Sequence, residues 1–395
     1  MRRMLIDTYR VWRNEFKVIR ADLGVMIFLF LLPFAYPLVY SAIYNPETAR
    51  NVRVVVVDDN RTALTREYAR HLNATQELSI IGYASNMQEA RRAMAEKECY
   101  GIIHFPADFS GKVYRGEQSV VEVFCDMSLL LRYRSMLVAV TAVASEMGKK
   151  IQVERMEGLT RGMATVAEMP IPFKLVPVGN VSQGLASALM PGVLVLILQQ
   201  CLILAICFLG ATSRERARLN GGRDPMAVTD AGVMSLLIGK ALCYFVLILV
   251  PAIFIIHFVP IIFTFPMNAS ILDLIAFFVP YLLAVIFFGM VIQMFIPDRE
   301  STFLMFVFTS LAFIFLSGIS WPRYAMSGFW QLAGGIIPST WGVTGFVGMN
   351  TAGASLSQQS MPYIMMWILA ALYFIFALLL SVLGELRKKR VNGKM

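Results

Sequence analysis

Residues 185–211 read LASALMPGVLVLILQQCLILAICFLGA, an apolar run without a single charged side chain. The hydrocarbon core of a bilayer is about 30 Å thick and needs about 20 apolar residues of helix to cross it. The whole chain agrees with this run, because hydrophobic residues make up 57% of its 395 residues and charged residues only 15%. Soluble globular chains carry about 25% charged residues. The composition therefore argues against a soluble enzyme and indicates a membrane protein.

Five further runs are long enough to cross a bilayer. The predicted spans are Leu23–Tyr44, Leu185–Ala211, Val233–Phe258, Leu272–Ile296, Thr302–Ile319 and Tyr363–Leu383. The first run is too long for the core of a signal peptide and contains Pro33 and Pro37, so we interpret it as an uncleaved span.

The distribution of basic residues predicts the orientation of the spans. Six Lys and Arg residues precede residue 21, four lie at 211–232 and five follow residue 384, whereas segment 45–183 has 17 basic against 16 acidic residues. This bias is the positive-inside pattern rather than a nucleic-acid footprint. We therefore expect both termini and loop 212–232 in the cytoplasm, with segment 45–183 and loop 320–362 outside.

Segment 1–22 precedes the first span and predicts an interfacial helix. Tyr9, Trp12 and Phe16 recur on one face, and Lys17 belongs to a basic stripe beside it. A helix of this kind lies in the headgroup plane and contacts anionic lipids. A cytosolic helix that packs on a partner protein is the alternative.

Segment 45–183 alternates strand and helix signals. Strands are predicted at Val52–Val57, Leu78–Ala84, Tyr100–Phe105 and Ser119–Phe124, and helices at Thr62–Leu72, Met87–Lys97, Phe109–Arg115 and from Leu129 to about Glu157. The predicted fold is thus an all-α membrane protein with six transmembrane helices and an inserted extracytoplasmic α/β domain. In an oxidising compartment Cys99 and Cys125 could form a disulfide. The sequence does not decide between this disulfide and two free thiols.

The sequence contains no motif for catalysis, metal binding or nucleotide binding that we recognise. None of the three histidines has a second His or Cys at metal-ligand spacing. Asp58 and Asp59 could form a metal pair, but they are more typical of a turn and a helix cap. Lys240 follows a glycine, but the remaining residues of a phosphate loop are missing. We expect no catalytic residue, metal or cofactor in this chain, so any ATP and Mg²⁺ would be bound by a partner.

Several stretches have the order and topological positions of one transporter family. They are Trp12-Arg13-Asn14-Glu15-Phe16-Lys17-Val18-Ile19-Arg20-Ala21-Asp22 before the first span, Gly101-Ile102-Ile103-His104-Phe105-Pro106-Ala107-Asp108-Phe109 in the inserted domain, Ser317-Gly318-Ile319-Ser320-Trp321-Pro322 after the fifth span, and Pro338-Ser339-Thr340-Trp341 beyond it. Together they resemble the permease subunits of type 2 ABC exporters, in the branch with a large extracytoplasmic domain between the first two spans. The resemblance implies the domain order 1–22 elbow helix, 23–44 first span, 45–183 outer domain, 184–384 remaining spans and 385–395 basic cytoplasmic tail.

The resemblance also implies roles for particular residues. Its elbow helix would include Trp12, Glu15, Phe16 and Lys17, its ATPase-coupling loop Arg214, Glu215, Arg216 and Arg218, and its re-entrant outer helices Gly318, Trp321, Pro322, Pro338 and Trp341. The partners implied are a cytoplasmic ABC ATPase, membrane lipids and a second permease, identical or related. A periplasmic adaptor is left open. Loop 212–232 departs from the family pattern at 218–222, which leaves the identity of the ATPase open.

The spans contain few charges, which favours an amphipathic, lipid-like or drug-like substrate. Gln199, Gln200 and Gln293 are candidates for the substrate pathway, and interhelical hydrogen bonds are the alternative role for them. We expect a multi-pass exporter permease in a bacterial inner membrane. The alternative is a membrane-anchored receptor or interaction protein whose extracytoplasmic domain binds a ligand without transport, but it would leave the ATPase-coupling loop unexplained. An ion-coupled carrier would need acidic residues at mid-membrane, which the predicted spans lack.

Overall fold

The computed structural model describes residues 2–45, 48–155, 179–180, 184–222, 224–228 and 230–392. The chain forms two compact units, of which one comprises Met1–Asn45 with Pro177–Met395 and the other Pro46–Val176. We call them the membrane unit and the sheet unit. Residues 156–178 and 181–183 of the predicted outer domain, and 393–395 of the predicted tail, lie outside the described residues.

The elements are numbered along the chain. Its helices are α1 (Arg2–Ala21), α2 (Leu23–Tyr44), α3 (Ala63–Asn73), α4 (Met87–Ala95), α5 (Phe109–Arg115), α6 (Leu130–Arg155), α7 (Leu185–Leu219), α8 (Val233–Phe263), α9 (Ile271–Gln293), α10 (Arg299–Leu316), α11 (Gly328–Gly335), α12 (Pro338–Asn350) and α13 (Ser360–Asn392). Its strands are β1 (Val52–Asp58), β2 (Leu78–Ala84), β3 (Gly101–Phe105) and β4 (Glu122–Cys125).

Six helices in the described part of the chain are long and apolar enough to cross a membrane. They are α2, α7, α8, α9, α10 and the part of α13 at Ser360–Leu386. The six predicted spans are therefore confirmed, with most boundaries shifted by a few residues. The apolar stretch of α7 is 94% buried, whereas that of α10 is 11% buried, so α7 is the central helix against which other spans pack.

A glycine allows one of the close contacts of α7. A Cβ atom at Gly210 would lie 2.0 Å from the side-chain nitrogen of Gln293, at the end of α9. Without a Cβ atom at this position, the Gln293 side chain can pack directly against the backbone of α7, and small residues of this kind are common at helix contacts in membranes. This contact helps to fix α9 against α7.

One side of helix α1 is exposed, as predicted for an interfacial helix, but its other side is buried. Leu5 and Tyr9 are exposed, as a face that contacts lipid would be. Val11, Glu15 and Val18 are buried, because this side of α1 packs on α8. The helix thus has an exposed apolar side and a side held by the membrane unit.

Two segments that were predicted as loops contain helices. Helix α7 continues to Leu219, so the loop predicted to begin at residue 212 begins at Asn220. Segment 320–362 contains a 3₁₀ turn at Arg323–Ala325 followed by α11 and α12. Helix α12 packs on α7, α9 and α13, which places it among the spans of the membrane unit. Whether these helices re-enter an outer leaflet stays a prediction.

The sheet unit contains four strands in the order β2-β1-β3-β4, in which β1 is parallel to β2 and β3, and β4 is antiparallel to β3. The strands lie close to their predicted positions. Alternate residues of β1 face opposite sides, with Val54 and Val56 in one hydrophobic cluster and Val55 and Val57 in another. This two-sided burial is typical of a sheet covered by helices on both faces.

The two cysteines of the sheet unit are free thiols. Cys99 belongs to the cluster on one face of the sheet, and Cys125 packs against the cluster on the other face. Because the side chains lie on opposite faces, this fold keeps them unpaired.

Candidate functional site

Helix α1 is held on α8 by a buried acidic residue. Glu15 is 5% exposed, accepts a hydrogen bond of 2.6 Å from the hydroxyl of Tyr244, and lies 3.5 Å from the ammonium of Lys240. Gly239 makes this approach possible, since a Cβ atom there would lie 2.8 Å from the backbone oxygen of Thr8. A buried carboxylate needs such partners because leaving it unpaired costs several kcal/mol. The predicted elbow residue Glu15 is therefore an anchor between helices.

A second buried carboxylate lies where α1 meets α2. Asp22 caps α2 by accepting hydrogen bonds from the backbone N–H groups of residues 24 and 25. Its other oxygen accepts from Arg299 at 3.0 Å and from the hydroxyl of Thr212 at 3.1 Å. Arg299 also donates to that hydroxyl at 2.8 Å. One carboxylate thus joins α2, α7 and the start of α10.

Glu215 extends this network along α7. Its Oε1 accepts from the backbone N–H of Arg299 at 3.0 Å, and its Oε2 lies 3.4 Å from the Arg299 side chain. The guanidinium of Arg299 also lies over the Phe208 ring, 4.9 Å from its centre. We call Asp22, Thr212, Glu215 and Arg299 the charged network.

The loop after α7 is fastened by Asp224. It accepts from Ser213 at 2.6 Å and from two nitrogens of Arg216 at 3.2 Å. Burial raises the pKa of Asp224, but the hydrogen bonds from Ser213 and Arg216 outweigh it, so that the pKa lies below its usual value. Asn14 of α1 donates to the backbone oxygen of Met226 at 2.7 Å. The loop is thereby held against both α7 and α1.

The four predicted coupling residues fall into two groups. Arg214 donates to the backbone oxygen of Gln293, and Glu215 and Arg216 have the partners given above, so these three bind within the membrane unit. Arg218 is exposed, as are Leu219 and residues 220–222. We call 218–222 the exposed tip. Leu219, with 86% of its surface exposed, is an apolar side chain available to a partner.

A cavity of about 350 Å³ lies beside these residues. Glu15 and Lys240 line it from one side, Ser213 and Asp224 from another, and Gln293 from α9. Polar groups from several helices therefore converge on a single space at the same end of the spans as the exposed tip.

The other two candidate pathway residues bind between helices. Gln199 is fully buried, and its amide donates to the Ser339 hydroxyl at 3.0 Å and accepts from the Ser339 backbone N–H at 2.8 Å. Gln200 donates to Thr309 at 3.4 Å. These contacts match the alternative role as interhelical hydrogen bonds, and only Gln293 of the three lines the cavity described above.

The residues predicted for the outer loop shape turns and helix ends. Gly318 has a φ of +92°, and a Cβ there would lie 3.0 Å from the Arg323 side chain. Trp321 donates to a backbone oxygen four residues later, and Pro322 precedes the 3₁₀ turn. Pro338 is the first residue of α12, and the indole of Trp341 donates to the oxygen of residue 335 at 2.8 Å.

The sheet unit has its own titratable cluster. His104 of β3 lies 2.9 Å from Glu122 of β4 through Nδ1 and 2.9 Å from Asp59 through Nε2. Burial lowers the pKa of His104, but the two carboxylates outweigh it and raise the pKa above its usual value. No group of three or more His, Cys, Asp or Glu side chains in the described residues has the arrangement of a metal site.

Sequence reasoning missed Arg299, Thr212 and Asp224 as members of the site. All three lie in polar stretches between apolar runs, where such residues are usually solvent-exposed connections. The signal that could have found Arg299 is the sequence Asp298-Arg299-Glu300, three charged residues in the short connection between two spans.

The described residues contain six helices long and apolar enough to span a membrane, and the charged network joins three of them at one end. These features define a multi-pass membrane protein. A model of the family described as ABC-2 family transporter protein matches residues 24–379, so the chain belongs to this family. It is a permease subunit of an ABC transporter, and membership implies an ABC ATPase subunit as its partner. A search among curated proteins finds no match.

Proposed function

We propose that the chain is the membrane-spanning subunit of an ATP-driven exporter. Its substrate is an amphipathic, lipid-like or drug-like molecule, taken from the cytoplasm or from the inner leaflet. A separate ATPase subunit binds ATP and Mg²⁺ and hydrolyses the nucleotide. This chain supplies no catalytic group and pairs with a second permease, identical or related.

The charge distribution supports a cytoplasmic position for the exposed tip, where an ATPase could reach it. The exposed tip and α1 lie in the basic segments of the chain, whereas segment 45–183 is nearly neutral. Basic residues are retained on the cytoplasmic side of a membrane. We place both termini and the exposed tip in the cytoplasm of a bacterial cell, and the sheet unit on the extracytoplasmic side of its inner membrane.

The observation that carries the proposed mechanism is the charged network. It joins α2, α7 and α10 a short distance from the exposed tip, since Glu215 lies one helical turn before Leu219. A force applied to the tip by the ATPase acts on α7, which is a continuous helix as far as the core of the membrane unit. Because Asp22 and Arg299 are tied to the same helix, the spans would move with α7 as a rigid body.

Mutation of the tip and co-purification test the proposal. A tagged full-length chain, purified in mild detergent from its native cell, is expected to bring down a soluble ABC ATPase in a stoichiometric amount. Leu219→Asp, which puts a charge at the exposed apolar contact, is expected to reduce that amount at least about tenfold. The matched control is Met226→Asp, which makes a similar change at another exposed apolar residue of the same connection.

Two results would contradict the proposal. Capture of no ATPase by the wild-type chain, together with a ligand bound to the sheet unit, would favour a membrane-anchored receptor. Equal loss of the ATPase in the Leu219 and Met226 variants would remove the exposed tip as the specific contact.

A further inference from the structure

Arg323 is a cation without a counter-ion in the described residues. A guanidinium has five N–H groups. Among the described residues the guanidinium has one contact to an acceptor, a hydrogen bond of 3.3 Å from Nη2 to the backbone oxygen of Gln331. The Nε atom is buried without a hydrogen-bond partner. No carboxylate of the described residues lies within ion-pair distance of Arg323.

The surroundings of Arg323 hold the side chain in place. The guanidinium lies over the ring of Trp341, 4.5 Å from its centre, and Trp341 is itself fixed by its hydrogen bond to the backbone of α11. Burial lowers the pKa of Arg323 from its usual value. A partly buried cation is normally paired, because its desolvation is otherwise uncompensated.

Exposed apolar and aromatic side chains are concentrated in the segment that contains this cation, and we call them the aromatic surface. The exposed side chains, with their exposed fractions, are Trp321 (59%), Tyr324 (87%), Phe329 (70%), Trp330 (53%), Leu332 (74%) and Ile336 (57%). Trp and Tyr concentrate where a membrane meets water, since their rings are apolar and their polar atoms can reach the headgroups. A soluble surface rarely exposes so many large apolar side chains together.

This surface lies at the end of a spanning helix. Helix α11 packs on the last residue of α10, because a Cβ atom at Gly334 would lie 2.9 Å from the backbone oxygen of Leu316. Arg323 follows Leu316 closely in the sequence, in the connection between α10 and α11. The cation is therefore placed near the level at which the headgroups of one leaflet begin.

We propose that Arg323 and the aromatic surface bind the phosphate headgroup of an anionic membrane phospholipid. The fork of the guanidinium suits a phosphate, whose oxygens can accept two parallel hydrogen bonds. The exposed aromatic and aliphatic side chains contact the glycerol and the upper part of the acyl chains. The site requires only that the helices span a membrane, so it stands apart from the proposed direction of transport and from the ATPase.

Photo-crosslinking of the full-length chain in nanodiscs tests this site. The probe is a phosphatidylglycerol that carries a diazirine near its headgroup, and crosslinked peptides are quantified by mass spectrometry. The yield at 321–336 is divided by the yield on α1, whose basic residues provide an internal reference. We expect Arg323→Gln to lower this ratio at least about fivefold, because loss of a hydrogen bond to a charged group weakens binding by at least that factor. Arg323→Lys, which keeps the charge but loses the fork, is expected to fall between Arg323→Gln and wild type.

The control is Arg66→Gln, which makes the same change of charge at an exposed position of the sheet unit and is expected to leave the ratio unchanged. An unaltered ratio in both Arg323 variants would overturn the proposal. Loss of the crosslink on addition of glycerol 3-phosphate would show a site for a soluble anion rather than for a lipid. A disulfide between two chains that carry Tyr324→Cys would show that a second copy covers the surface, and this too would overturn the proposal.

Discussion

The ion pair between Asp22 and Arg299 should contribute measurably to the stability of the membrane unit. The side chain of Asp22 is 8% exposed and that of Arg299 is 40% exposed, with 3.0 Å between the charged atoms. Removing one partner of a buried ion pair costs about 3–5 kcal/mol, whereas exposed pairs contribute about 0.2–1 kcal/mol. Because Arg299 is partly screened by solvent, we expect Arg299→Gln to lower the free energy of unfolding by about 2 kcal/mol.

A double-mutant cycle separates the pair from the other contacts of both residues. Asp22→Asn keeps the cap of α2, since Asn is as good a capping residue as Asp, and removes the charge. We expect Asp22→Asn alone to cost about 1 kcal/mol, and the double variant to cost about 1.5 kcal/mol less than the sum of the two single variants. The free energies come from reversible unfolding of the purified chain in mixed detergent micelles. Additive effects, with a coupling energy below about 0.5 kcal/mol, would refute the charged network as a stabilising connection.

Three further results are expected. The pKa of His104 is raised above about 6.5, so its protonated form stabilises the sheet unit fully below about pH 6.5, and this contribution is lost as the pH rises through the raised pKa. Hydrogen exchange of the sheet strands should therefore quicken from pH 6 to pH 9 (after correction for intrinsic exchange) in wild type but not in His104→Gln, and identical profiles would contradict the cluster. Gly210→Ala should lower the free energy of unfolding by about 1–3 kcal/mol through overpacking. Gly148→Ala, at an open helical position, should instead raise it by about 0.4–1 kcal/mol. A change of the same sign in both variants would be inconsistent with the contact between α7 and α9. In whole cells an impermeant maleimide should label the partly exposed Cys125 faster than the buried Cys99, and labelling only after permeabilisation would reverse the proposed topology.

The six spans could be predicted because their signal is strong and local. An apolar run of sufficient length has few stable alternatives to a membrane helix. The strands of the sheet unit were equally accessible, because β-branched runs such as Val52–Val57 alternate with capped helices. The alternation of residues along these strands matches the faces on which they are buried.

The end of α7 could not be placed from hydropathy. Arg214, Glu215 and Arg216 follow the apolar run, so the prediction ended the span at Ala211 and gave them to a loop. Arg and Glu are good helix formers, and their partners on other segments allow the helix to continue. The contact between Glu215 and Arg299 joins residues far apart in the chain, and no local pattern encodes it.

The burial of Glu15 could not be predicted from the sequence either. Aromatic and basic residues around it are typical of an interfacial helix, and a single acidic residue there is compatible with an exposed position. Its actual partners, Lys240 and Tyr244, come from α8. The approach of α1 depends on Gly239, whose importance appears only when the two helices are seen together.

The most direct test of the account is the rate of ATP hydrolysis by the complex of this chain with its ATPase. Glu215→Gln should leave capture of the ATPase unchanged, because the exposed tip is intact, and should lower the stimulation of hydrolysis by the chain at least about fivefold. Glu300→Gln is the matched control, since Glu300 is exposed and adjacent to Arg299. Unchanged stimulation in Glu215→Gln, with the ATPase still bound, would contradict the claim that the charged network couples the ATPase to the spans.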